Sequence, residues 1–90
     1  MEFTPDQLTE IQNMAGLFFT PEEIAINIEV DPDDFANLIK SQTTNAYKAY
    51  MAGRFSSDVE LRKAVQQAAL NGSTPAQQTM IVWLNTSKHE

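Results

Sequence analysis

Residues 20–40 read TPEEIAINIEVDPDDFANLIK, and two helix starts stand in this stretch. Thr20-Pro21-Glu22-Glu23 and Asp31-Pro32-Asp33-Asp34 each place a capping side chain before a proline and two acids. The capping oxygen can accept an amide hydrogen that the first turn leaves unused. Proline fills a position whose donor has no partner, and the acids face the positive end of the helix dipole. Ile24, Ala25 and Ile28 form the inner side of the first helix; Phe35, Leu38 and Ile39 form that of the second. Ile26 to Val30 is the one strand-like run, but with capping signals on both sides it reads as a helix end and turn. The small Ala25 permits a close crossing, Val30 plugs the angle between the helices, and Phe35 anchors the second helix to the core.

The same start recurs at Thr4-Pro5-Asp6-Gln7 and Thr74-Pro75-Ala76-Gln77, and without proline at Ser57-Asp58-Val59-Glu60. Leu8, Ile11, Met14 and Phe18 give the first helix its apolar side, with Gly16 weakening or ending it. Ala46, Tyr47, Tyr50 and Met51 predict a helix that ends near Gly53. Leu61, Ala64, Val65 and Ala68 predict another that ends near Asn71-Gly72, and Met80, Trp83 and Leu84 mark the last. The expected fold is all-α: a compact bundle of five or six short helices in a single domain over 1–90, with no long linker.

Ninety residues with no cysteine and 42% hydrophobic composition bound the classes open to this chain. A disulfide scaffold and a cysteine-based zinc site are excluded. The apolar runs are far shorter than the roughly 20 residues that cross a bilayer, so no membrane partner is expected, and the chain is placed in the cytoplasm. A chain this short has a thin core, which makes self-association plausible.

Charge is polarised along the chain. The formal net charge is -6, unfavourable for a general nucleic-acid binder. Residues 1–39 carry Glu2, Asp6, Glu10, Glu22, Glu23, Glu29, Asp31, Asp33 and Asp34 with no Lys or Arg. Residues 40–90 carry Lys40, Lys48, Arg54, Arg62, Lys63 and Lys88 against Asp58, Glu60 and Glu90. Such a chain could stack head to tail with its own copies, present its second half to an anionic partner, or simply be kept soluble by an acidic surface.

The spacing over 21–40 resembles the helix-turn-helix family, whose usual turn glycine corresponds to Glu29. On the second helix Asp33, Asp34, Asn37, Lys40 and Ser41 would be exposed. Asn37 could bridge an adenine edge, while Asp33 and Asp34 place negative charge where a duplex would approach. The same face serves equally as a protein contact or as plain polar surface. A second DNA surface would form if Lys40, Lys48, Arg54, Arg62, Lys63 and Lys88 converged, with Tyr47 or Tyr50 beside them; helical spacing also suits both tyrosines to the core.

After this unit come Ala46-Tyr47, Gly53, Leu61-Arg62-Lys63-Ala64, Ala68, Gly72, Pro75-Ala76-Gln77 and Trp83-Leu84. Together, over residues 5–86, they look like the N-terminal region of phage terminase small subunits. That resemblance implies ring assembly, binding of viral double-stranded DNA, and regulation of a large packaging-motor subunit. Residues 22–40 would then be the DNA-recognition unit. The DNA-contact candidates are Asn37, Lys40, Ser41, Lys48, Arg54, Arg62 and Lys63.

Protein interaction without direct DNA contact is the competing expectation, with Phe18, Phe19, Asp33 and Asp34 as interface candidates. Phe18-Phe19 precedes Thr20-Pro21, where an apolar residue can close a helix entry, so both rings also suit the core. Trp83 is large enough to anchor an interface, yet its spacing with Met80 and Leu84 suits a core role. No enzyme is expected. His89 sits beside the last residue, where fraying works against a fixed base or ligand. Asp31, Asp33 and Asp34 are accounted for by the cap and the dipole and lack the spacing of a calcium loop. No catalytic serine constellation or phosphate-cradling glycine loop is present, and no cofactor or metal is expected.

Overall fold

The computed structural model describes residues 2–88, and it is all-helical. Five helices follow in order: α1 (Pro5–Gly16), α2 (Pro21–Asn27), α3 (Pro32–Lys40), α4 (Asn45–Leu70) and α5 (Thr74–Lys88). Three of the starts use the caps expected from the sequence. Thr4 Oγ1 accepts from Gln7 N at 3.1 Å while Gln7 Oε1 accepts from Thr4 N at 2.9 Å. Thr20 and Glu23 repeat this reciprocal pair at 3.2 and 3.0 Å. Asp31 Oδ1 accepts from Asp34 N at 2.9 Å. Each such cap stabilises by about 1 kcal/mol.

Two starts differ from expectation. α5 is capped one residue early: Ser73 Oγ accepts from Ala76 N at 3.4 Å, and Thr74 is already helical. α4 begins at a signal with no proline, where Thr44 Oγ1 accepts from Tyr47 N at 3.1 Å and donates to Leu38 O at 2.9 Å. One hydroxyl thereby starts α4 and holds the end of α3.

The larger correction concerns the middle of the chain. Gly53 does not end a helix and Ser57 does not start one; residues 45–70 form a single helix of 26 residues. A glycine inside a helix costs only about 1 kcal/mol relative to alanine, less than a break in the hydrogen-bond ladder would. Gly53 serves another purpose. A Cβ added there would overlap the Gln12 carbonyl oxygen and lie 3.1 Å from Gly16 N, so α1 and α4 meet backbone to backbone.

Contacts divide the chain into two compact units, residues 1–58 and 59–90, with the boundary inside α4. In the first unit the core consists of Ile11 and Ala15 from α1, Ile24 and Ala25 from α2, Phe35 from α3, and Ala46 and Tyr50 from α4. The Phe3 ring stands edge-on to Phe35, 6.0 Å between centroids. Val30, Leu38 and Ile39 pack against this core as expected. In the second unit none of the described side chains is fully buried; Val65, Ala68, Met80 and Trp83 are half-buried, while Leu61 and Ala64, expected to face inward, are exposed.

The ends of α1 and α2 share one hydrogen-bond pattern. Phe18 N donates to Ala15 O at 2.9 Å and Phe19 N to Met14 O at 3.2 Å; Glu29 N donates to Ile26 O at 3.3 Å and Val30 N to Ala25 O at 3.0 Å. α4 closes the same way, through Gly72 and Ser73. This double closure requires a left-handed residue, ordinarily glycine. Gly72 supplies it after α4 with φ 98°, but Phe18 (φ 65°) and Glu29 (φ 61°) occupy it after α1 and α2. Glu29 thus adopts the conformation that a turn glycine would. The strand-like run Ile26 to Val30 is this helix end and turn.

Candidate functional site

Two open grooves collect the side chains with binding chemistry, one in each unit. In the first unit, α4 carries Tyr50, Met51, Arg54, Phe55 and Asp58 along one side, and the left-handed turn after α1 brings Phe18 against them. The groove measures about 590 Å³. Arg54 organises it. Its Nη1 donates to the Tyr50 hydroxyl at 2.7 Å, and its guanidinium carbon lies 5.6 Å from the centroids of both the Phe18 and Tyr50 rings. Tyr50 is buried, so its ring belongs to the core while its hydroxyl and ring both contact the Arg54 guanidinium.

Phe18, Met51 and Phe55 are 49%, 43% and 60% exposed, and Phe19 and Leu17 next to Phe18 are also exposed. The core role open to Phe18 and Phe19 is therefore not the one they take, and Met51 turns outward from a helix whose inner side it was expected to share. The physical reason lies in the tight closure after α1. Once Phe19 N and Phe18 N bond back to Met14 and Ala15, the chain has turned off the helix before either ring can continue the Leu8–Ile11–Met14 stripe.

In the second unit a groove of about 430 Å³ is lined by Arg62, Lys63, Met80, Trp83 and Leu84. The Arg62 guanidinium carbon lies 4.3 Å from the Trp83 centroid, within the range of a cation–π contact. Lys63 Nζ sits 3.4 Å from Glu60 Oε1, both largely exposed, which makes this pair weak. Trp83 is half-buried rather than enclosed.

The sequence-predicted DNA-contact residues are distributed over both units. Asn37, Lys40 and Ser41 are exposed toward the end of α3, where Ser41 Oγ is 3.2 Å from Thr43 Oγ1. Lys48 is exposed on α4, Arg54 lines the first groove, and Arg62 and Lys63 share the second. Asp33 and Asp34 are exposed on the first turn of α3, with Asp34 N satisfied by the Asp31 cap. His89 lies outside the described residues, and so does the side chain of Lys88. Among the described residues no cluster of acids could hold a metal ion, and no helix is long and apolar enough to cross a membrane.

No family model matches the sequence, and neither a curated protein nor a solved structure matches it.

Sequence reasoning missed Met51 and Phe55 as surface residues. The signal was present. Met51 and Phe55 stand four residues apart, as do Arg54 and Asp58, and this second periodicity runs beside the inward one of Ala46 and Tyr50. It was hidden by the expectation that the helix stops at Gly53.

Proposed function

We propose that this chain is a noncatalytic protein-interaction module, in which the α2–α3 pair is a helix-turn-helix-like scaffold and the aromatic groove beside it is the working surface. The observation that carries this reading is the exposure of Phe18, Met51 and Phe55 around Arg54. Two costs meet at Phe18. A bulky residue in the left-handed region is unfavourable by about 1–2 kcal/mol, and half of a phenylalanine ring left in water forgoes burial energy of similar size. Partner contact recovers the second cost. The mixture of exposed aromatic rings, methionine and an arginine is the composition that anchors protein interfaces.

A second reading keeps DNA: an adaptor resembling the DNA-recognition region of a phage packaging terminase small subunit. Glu29 supports it, because its left-handed turn is the one that a helix-turn-helix glycine provides. Against it stand Asp33 and Asp34 on the first turn of α3, where phosphates would have to approach.

The two readings separate in one experiment. A photo-crosslinking residue is placed at position 55 or at position 37 of the full chain, in extract of the source cells. Protein adducts at position 55 without DNA adducts at position 37 support the interaction module. DNA adducts at 37, lost as salt rises, support the adaptor. Adducts at neither position overturn both.

A further inference from the structure

A reactive pair of residues lies outside both grooves, in the turn that closes α4. Asn71 and Gly72 are both exposed, and a Cβ added to Gly72 would meet nothing within 4 Å, so water reaches this turn freely. Every other asparagine of the chain is followed by a residue with a Cβ. Asn71 alone precedes glycine, whose amide nitrogen has no side chain beside it to hinder an attack on the neighbouring carboxamide. In the closed turn that nitrogen is engaged: it donates to Ala69 O at 3.1 Å, while Asn71 Oδ1 accepts from Gln67 Nε2 at 3.3 Å. The reaction therefore needs the turn to open. Little holds it shut. None of the side chains described over residues 59–87 is fully buried, and the Ser73 cap that starts α5 is long, at 3.4 Å. A segment packed this thinly opens locally at low cost.

We propose that Asn71 is a site of nonenzymatic deamidation, controlled by opening of the turn between α4 and α5, and that the product unfastens this turn. When the turn opens, Gly72 N gives up its proton to solvent and attacks Asn71 Cγ. The new N–Cγ bond forms as the bond from Cγ to Nδ2 breaks, and Nδ2 takes up a proton and leaves as ammonia. Water then opens the resulting succinimide at either carbonyl, giving aspartate or isoaspartate; the only co-reactant is water, and nothing is oxidised or reduced. Both products work against the closed turn. A carboxylate at position 71 stands just past Leu70, at the negative end of the α4 dipole. Isoaspartate also lengthens the main chain inside the closure that Ser73 N makes with Ala68 O at 3.0 Å, so the paired bonds after α4 no longer fit.

The test incubates the full folded chain in warm neutral buffer and follows its peptides by mass spectrometry, with aspartyl and isoaspartyl forms separated. Asn71 is expected to show the amide-to-acid mass change before any other asparagine. Ser73→Ala, which weakens the start of α5, is expected to speed the change by about two- to fivefold, the equilibrium equivalent of a lost cap. Reacted chain, separated by ion exchange, is expected to show hydrogen exchange across α5 faster by at least about twofold, with the core segment 11–50 unchanged. Asn71→Gln, carried through the same incubation, is expected to keep its amide and its original exchange rates. Circular dichroism verifies that each variant is folded. The proposal is overturned if Asn71 keeps its amide while another asparagine reacts, or if Ser73→Ala reacts at the wild-type rate. It is equally overturned if exchange across α5 is unchanged in the reacted chain, or rises as much in Asn71→Gln.

Discussion

Gly53 of α4 rests against the carbonyl of Gln12 on α1 with no room for a side chain between them. Gly53→Ala is therefore expected to destabilise the fold by about 3 kcal/mol, because the methyl group meets backbone that cannot rotate away. Gly16→Ala is the matched comparison. Its Cβ would lie 2.9 Å from Ser57 Oγ, a side-chain atom that can turn aside, and 3.3 Å from Gly53 O, a tight contact that a shift of the backbone by a few tenths of an ångström relieves, while alanine favours the helix. Its effect is expected to stay within about 1 kcal/mol. Urea unfolding of both variants checks the contrast, and equal effects would refute the close-approach account.

Glu29 and Gln42 hold left-handed backbone at φ 61° without being glycine. Glu29→Gly is expected to stabilise by about 1 kcal/mol through relief of that conformation, and Gln42→Gly by a similar amount. Thermal melts should register each as a rise of about 4–8 °C. Glu29→Ala is expected to give no such rise. If alanine and glycine act alike, the turn is not left-handed in solution.

The start of α5 offers a test of one residue of register. Ser73→Ala removes the oxygen that accepts from Ala76 N and is expected to cost about 0.5–1 kcal/mol. Thr74→Ala, already inside the helix, is expected to change stability by less than about 0.5 kcal/mol. The reverse order would return the cap to Thr74.

Tyr50→Phe isolates the hydroxyl that receives the Arg54 hydrogen bond. The ring keeps its place in the core, so the loss is expected to be about 1 kcal/mol. The same variant should loosen the Arg54 side chain over Phe18, read as faster side-chain dynamics by nuclear magnetic resonance. An unchanged Arg54 signal would show that the rings alone hold the guanidinium.

Positions governed by neighbours three or four residues away were legible without a structure. The caps at Thr4, Thr20 and Asp31 depend on an oxygen and an amide separated by one turn, and proline beside them settles the backbone. The end of α4 at Gly72 follows from the same local rule. The inward sets Ile24–Ala25 and Phe35 needed only helical spacing and a single buried face.

Gly53, Phe18 and Trp83 answered to partners distant in the chain. A glycine reads as a helix end when only its own flexibility is considered, yet here the backbone of α1 needs the space that a Cβ would fill. Phenylalanine reads as core on hydrophobicity alone; the closure after α1 decided that Phe18 would stand over Arg54 in an open groove. Local hydrogen bonding and helix periodicity therefore determined the helices and most of their boundaries from sequence. Tertiary packing decided which apolar residues remained in water, because burial depends on what the rest of the chain brings against each side chain and not on the side chain itself.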